Sequence, residues 1–213
     1  MSFWDYLQSK AISLCMGGIG IFYLTLILSN GGNPSKLRRE LRRADNLTET
    51  ILTYAKLRTV EKDTQISRVD LRTACDQAVR EEMELLINAG IAVSVSGEGH
   101  VYTDAKLFVF ILKQLLINCA KYCPDCQIHI ELGENSLCFE DNGTGIPSHE
   151  LHRVTERGFS GAAGRKQGQS TGMGLYIVSQ LCQSLNIQME ITSLEGAFTR
   201  FTFRFSAPTL QNC

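Results

Sequence analysis

Eight of the eighteen glycines fall within one stretch: Gly143, Gly145, Gly158, Gly161, Gly164, Gly168, Gly172 and Gly174. Glycine inside a helix costs about 1 kcal/mol relative to alanine, so so dense a set cannot be the interior of regular structure. Apart from a short helix after the turn at Gly145, the stretch is loop, and long glycine-rich loops inside compact domains are functional lids or disordered segments. Its borders are ordered by pattern. The alternating "QIHIELGENSLCFED" runs into "EDNGTGIP", and "GFSGAAGRKQGQSTGMGLYIV" ends by opening an apolar helix. Free N–H groups and the dipole at a helix start attract anions, which makes a phosphate-bearing ligand the first functional candidate. The motif GxxxxGK[ST] is absent, and no GxGxxG follows the first strand of a βαβ unit. P-loop and Rossmann sites are therefore excluded.

The surrounding pattern is that of a mixed domain. "DLRTACDQAVREEMELLINAG" reads as one helix that Gly90 ends, and "IAVSVSGEGHVYTD" alternates around a glycine turn as a hairpin does. "AKLFVFILKQLLINCAKYC" is a second helix. "QIHIELGENSLCFED" forms two strands joined near Gly133 and Asn135, followed by a helix from about Leu175 to Leu185 and the strands "QMEITS" and "TRFTFRF". Helices on one side of a mostly antiparallel sheet make an α+β fold, a two-layer α/β sandwich.

The second helix carries its own chemistry. Gln114, Asn118, Lys121 and Tyr122 stand at i−4, i, i+3 and i+4 and share a face, while Leu107, Phe108, Ile111, Leu112, Leu115 and Leu116 supply a core face. An amide oxygen can coordinate Mg²⁺, a lysine can neutralise phosphate, and a tyrosine can cover a base. Asp141, at a strand end, can accept from an adenine amino group, with Gly143 and Gly145 letting backbone approach the ring.

Outside this domain, residues 11–29 ("AISLCMGGIGIFYLTLILS") carry no charge and match the length that spans a bilayer. Trp4 and Tyr6 precede the run, and Lys36, Arg38, Arg39, Arg42 and Arg43 follow it. That asymmetry predicts a single-pass helix in a cell membrane with the C-terminal side cytoplasmic. The expected organisation is a membrane helix with its flank over 1–30, a linker and helix over 31–66, and the mixed domain over 67–208. Leu37, Leu41, Leu47, Ile51, Leu52, Ala55 and Leu57 form an apolar stripe that needs a partner helix. The formal net charge of −1 gives no field for nucleic acid. Cys123-Pro-Asp-Cys126 lacks a second cysteine pair or a neighbouring histidine, so its spacing reads as a structural loop.

Four segments, "QLLINCAKY", "EDNGTGIP", "ERGFSG" and "GQSTGMGLYIV", resemble in order the N, G1, F and G2 boxes of sensor histidine kinase catalytic domains. The resemblance covers about residues 36–206 and implies the Bergerat (GHKL) ATP-binding fold, shared with gyrase, Hsp90 and MutL. "LTETILTYAKL" and "VYTDAKLFVFILKQLLINCAKY" resemble more particularly the bacitracin-sensing, intramembrane-sensing kinases. The resemblance implies ATP and Mg²⁺ as cofactors. It makes Asn118 the Mg²⁺ ligand and Gln114 the amide one turn before it. Lys121 becomes the phosphate contact, Tyr122 the adenine flank and Asp141 the adenine reader. Gly143, Gly145 and Ile146 lie beside Asp141, Phe159 falls in a mobile lid, and Thr171, Gly172, Gly174 and Leu175 form the phosphate side.

One part of the pattern is missing. The histidines are His100, His129, His149 and His152; none lies between residues 30 and 66 or has the neighbours of a phosphoacceptor. Residues 36–66 resemble the second dimerisation helix of such kinases, with no counterpart to the first, which carries the acceptor. Two readings follow. In one, the chain is a two-component kinase-like protein that binds Mg-ATP and phosphorylates a histidine supplied by another kinase's dimerisation domain or a homodimer partner, with a response regulator downstream. In the other it is a non-catalytic ATP-binding module that heterodimerises with an intact sensor kinase.

Overall fold

The computed structural model describes residues 64–161 and 172–206. The expected membrane helix at 11–29, the helix at 36–66 and Thr171 lie outside the described residues. Among those described, no helix is long and apolar enough to cross a membrane.

The elements are β1 (Ser67–Asp70), α1 (Leu71–Glu81), α2 (Met83–Asn88), β2 (Ala92–Gly97), β3 (His100–Thr103), α3 (Ala105–Tyr122), β4 (Gln127–Gly133), β5 (Ser136–Asp141), α4 (Ser148–Leu151), α5 (Gly174–Ser184), β6 (Ile187–Leu194) and β7 (Phe198–Phe205). A five-stranded mixed sheet has the order β2-β4-β5-β7-β6, and β1 pairs with β3 in a separate two-stranded ribbon. Only β2 and β4 run parallel in the larger sheet.

Period-2 alternation decides which side of the sheet is covered. Ile130, Phe139 and Phe201 form one inward row across β4, β5 and β7, and Leu132, Leu137 and Phe203 form the next. The third inward row is Ile128, Asp141 and Thr199, so a carboxylate stands where the alternation calls for an apolar side chain. Helices α1, α3 and α5 cover this face. Phe108 of α3 meets Phe203 and Phe205 edge-on, with centroids 6.3 and 5.2 Å apart. The other face carries His129, Glu131, Glu140, Arg200 and Arg204, giving the expected two-layer α+β architecture.

Helix α3 starts where its cap dictates. The Asp104 carboxylate accepts from the Lys106 and Leu107 N–H groups at 3.0 and 3.1 Å, and its second oxygen accepts from Gln65 N–H at 2.9 Å. Phe108, Ile111, Leu112, Leu115 and Leu116 are fully buried on its core face. Burying each such side chain contributes about 1.5–3 kcal/mol.

Two expected elements are corrected. The hairpin over "IAVSVSGEGHVYTD" does not form. Strand β2 lies parallel to β4 (Ala92 opposite Gln127, Gly97 opposite Leu132), while β3 pairs antiparallel with β1 (Val101 opposite Val69). Alternation specifies which side chains face inward and not which strand lies alongside. The crossing is held by Leu71 N–H to the Gly99 carbonyl at 3.0 Å and by the Arg72 guanidinium on the Val95 and Gly97 carbonyls at 3.0 and 2.9 Å. The single helix expected over residues 70–90 is two helices, because Glu82 leaves helical geometry at φ −104°, ψ 11°. Lys113 of α3 reaches Glu81 at 2.8 Å and Glu82 at 3.2 Å, gripping both sides of the break.

Candidate functional site

Asp141 ends β5 facing inward and is only 5% exposed. One carboxylate oxygen accepts from the Gly143 N–H at 3.0 Å and from the Cys123 thiol at 3.5 Å; the other accepts from the Cys119 thiol at 3.8 Å. Burial pushes the Asp141 carboxyl above its ordinary range, against the lowering pull of the Gly143 N–H and the two thiols. The carboxylate is thus presented at the base of the α3 C-terminus. Cys119 is raised first by hydrogen bonding to its neighbouring thiols and then by burial, whereas Cys126 is lowered to about 7, foremost by its hydrogen bond with Cys119.

The turn after Asp141 is tied to the sheet edge. Gly145 has φ +64°, a conformation side chains resist, and its Cα lies against the Leu194 carbonyl where a Cβ would collide. Ile146 N–H donates to the Ser193 hydroxyl at 2.8 Å, Gly196 N–H donates to the Thr144 carbonyl at 2.7 Å, and Ser193 in turn donates to the Phe198 carbonyl at 2.6 Å. Thr199, opposite Asp141, is buried with its hydroxyl 3.3 Å from that of Ser193.

On the other side of α3, the Gln114 and Asn118 amides face the first residue of α5. A Cβ on Gly174 would stand 3.4 Å from Gln114 Oε1 and 3.5 Å from Asn118 Oδ1. Among the described residues, no side chain caps the start of α5. Leu175 packs against the core. Gly172 accepts from Gly158 N–H at 3.0 Å, so the two ends of the glycine-rich loop meet, and Arg153 lies 4.5 Å above the Phe159 ring. Lys121 and Tyr122, in the last turn of α3, are half-buried.

The end of α3 therefore touches Asp141 through Cys119 and Cys123 and the α5 start through Gln114 and Asn118. The structure brings Gln114, Asn118 and Gly174 together, and Gly172 with Gly158 and Phe159. Gly145 and Ile146 are held against β6. An open depression of about 450 Å³ between α4, α5 and β6, lined by Ser148, His152, Ser179 and Met189 among others, includes none of the predicted site residues. Sequence reading missed Cys119, Cys123, Ser193 and Thr199. The i, i+4 spacing of Cys119 and Cys123 was a visible signal of a shared helix face. That Asp141 lies under that face is a long-range fact with no local trace.

Two of the four histidines are engaged elsewhere. His100 lies 3.2 Å from the Asp70 carboxylate, and His129 meets the Ser94 and Ser96 hydroxyls at 3.0 and 3.2 Å on the outer face of the sheet.

A family model described as "Histidine kinase-, DNA gyrase B-, and HSP90-like ATPase" matches residues 103–209, the span from the α3 cap to the end of the sheet. The chain belongs to this family. Within it, the chain is similar to sensor histidine kinases. Sensor histidine kinase YxdK of Bacillus subtilis is 29% identical over 194 residues, covering 85% of this chain and 59% of YxdK. Sensor protein kinase GraS of Staphylococcus aureus is 33% identical over 193 residues, covering 86% of this chain and 54% of GraS. The chain thus spans between half and three fifths of these curated relatives. Among solved structures, the histidine kinase AdeS of Acinetobacter baumannii matches the ATPase fold with a TM-score of 0.64 at 16% identity, over 95% of this chain and 98% of that one. Full-length ShkA in complex with AMPPNP matches with a TM-score of 0.63 at 17% identity, over 82% of this chain and 39% of ShkA.

Proposed function

We propose that this domain binds ATP with Mg²⁺ and delivers the γ-phosphoryl group to a histidine on a dimerisation domain outside residues 64–206. The observation that carries the reading is the α3 C-terminus, which joins a buried carboxylate on one side to an amide pair and an uncapped helix start on the other. Asp141, buried and acceptor-only when ionised, would take the exocyclic amine of adenine, with Gly143, Gly145 and Ile146 beside the base and Tyr122 covering it. The Asn118 amide oxygen is a hard donor of the kind Mg²⁺ selects, and the space between it and Gly174, which a single methyl would fill, would admit one phosphate oxygen. Mg²⁺ held there supplies charge neutralisation to the phosphates. Gln114 orients the reacting end one turn away, Lys121 places a positive charge at the phosphates, and the N–H groups at Gly172 and Gly174 donate to phosphate oxygens. Phe159 would belong to a lid over them, and Thr171 and Leu175 to the phosphate side. Catalysis of this kind rests on positioning and fixed charge, which is what a rigid helix end provides. AMPPNP, an ATP analogue, occupies ShkA, a protein of like fold, which supports a nucleotide here.

The run at 11–29 would anchor the chain in the cell membrane with this domain on the cytoplasmic side, and 36–66 would pair with a partner helix. The full chain, incubated with ATP labelled at the γ-phosphate, Mg²⁺ and a separate dimerisation domain carrying its histidine, should place acid-labile label on that domain. ATP binding without any label on the partner would overturn the transfer step. It would favour the regulatory-module reading, which the engagement of His100 and His129 with structural partners supports.

A further inference from the structure

Sequence spacing alone made Cys123-Pro-Asp-Cys126 a poor metal site, because only two donors are neighbours in the chain. The fold supplies two more. Cys119 lies one turn before Cys123 on the same face of α3, and Asp141 approaches from β5. Ligand atoms of Cys119, Cys123 and Asp141 all lie within 4.8 Å of one another. The Cys126 sulfur is 2.9 Å from that of Cys123. All four residues are 5–6% exposed. Their backbone is fixed by Cys123 N–H to the Cys119 carbonyl at 2.8 Å and Cys126 N–H to the Cys123 carbonyl at 3.3 Å.

We propose that Cys119, Cys123, Cys126 and Asp141 form a binding site for a borderline-soft divalent cation of the zinc class, and that the ion competes with the nucleotide for Asp141. Three thiolates and one carboxylate are a four-donor set suited to tetrahedral Zn²⁺. With Zn–S bonds of about 2.3 Å, tetrahedral sulfurs stand about 3.8 Å apart. The thiol–carboxylate separations of 3.5 and 3.8 Å are already close to that spacing, while Cys126, outside the three-residue cluster, must open from Cys123 by about 1 Å and turn in toward Cys119 and Asp141. On binding, the three thiol protons leave to solvent and the sulfurs donate to the metal. The site is closed, with no position left for water or substrate, so the ion is regulatory and not catalytic. The competition rests on the ATP reading above: a carboxylate oxygen that ligates the metal no longer accepts from the adenine amine. Zinc would thereby empty the nucleotide pocket from beneath, through the one residue the two sites share.

The test uses the full chain in detergent, reduced and metal-free, with Co²⁺ as a spectroscopic substitute. The expected result is a thiolate-to-cobalt charge-transfer absorption saturating at one equivalent and displaced by Zn²⁺. It should be abolished in the Cys119→Ser/Cys123→Ser double variant and weakened in Cys126→Ser, each checked for folding by circular dichroism. Cys138→Ser, on the outer face of the sheet, should keep it. Absence of the band in folded wild type, or its persistence in the double variant, would overturn the site. In a parallel ATP titration, saturating Zn²⁺ should raise the Kd for ATP at least tenfold in wild type and less than twofold in the Cys119→Ser/Cys123→Ser double variant. A cobalt band together with ATP affinity indifferent to zinc would overturn the competition. A cobalt band with no ATP binding under any condition would leave the metal site standing and overturn the nucleotide reading instead.

Discussion

Replacing Gly174 with alanine separates the stability of the domain from its ligand binding. Gly174 is the first residue of α5 and is not among the glycines with positive φ, so alanine fits its backbone. The added methyl would lie 3.4 Å from Gln114 Oε1 and 3.5 Å from Asn118 Oδ1, ordinary van der Waals contact that forces no movement. Alanine is favoured over glycine by up to about 1 kcal/mol inside a helix and by less at its first turn. Urea unfolding should therefore show unchanged or slightly raised stability. The same methyl fills the gap that a phosphate oxygen must enter to reach the α5 N–H groups and a metal on Asn118. Losing one charge-assisted hydrogen bond costs about 1.5–3 kcal/mol, or roughly 10- to 150-fold in Kd. Calorimetric titration of Mg-ATP into the full chain reads this directly. An affinity within twofold of wild type would refute the assignment of that gap to the phosphates. A loss of stability beyond about 1 kcal/mol would mean that the glycine serves packing instead.

Other perturbations test the frame that holds the site. Asp104→Ala removes the acceptor for three backbone N–H groups and should cost about 2 kcal/mol in chemical denaturation. Phe108→Ala empties a fully buried position against Phe203 and Phe205, with an expected loss of about 3–5 kcal/mol. The backbone N–H of Thr73, foremost, holds the Asp70 carboxyl below its ordinary value of 3.8. Its contribution is therefore present above about pH 3.8 and lost as pH falls through the lower folded value. The Tm difference between wild type and Asp70→Ala should shrink over that acid range, and a gap that widens there would contradict the cap.

How legible the molecule was depends on the range of the interaction. Helix α3 and strands β4 to β7 were readable because their periodicity and their caps lie within a few residues of each other. Asp104 before an apolar stripe, and Gly133 with Asn135 between two alternating runs, are local signals. The β2–β3 hairpin was misread because alternation reports a face, and the parallel partner β4 lies about thirty residues further along the chain. The break at Glu82 left no local trace, and Lys113, which pairs with Glu81 and Glu82 there, lies on another helix. Within the site, Gln114 and Asn118 were legible as a helix face and Gly174 as a helix start, but their facing each other was not. The burial of Asp141 was readable in principle from its parity with Leu137 and Phe139, while the thiols that touch it come from 18 and 22 residues earlier in the chain.

The central claim is that the buried Asp141 and the Asn118 amide belong to one Mg-ATP pocket. Its most direct measurement is calorimetric titration of the full chain with ATP, with and without Mg²⁺, alongside Asp141→Ala and Asn118→Ala. The account predicts saturable binding in wild type, a loss of at least tenfold in Asp141→Ala with or without the metal, and a loss in Asn118→Ala confined to the Mg²⁺-dependent part. Unchanged affinity in both variants, or no binding in folded wild type, would contradict it.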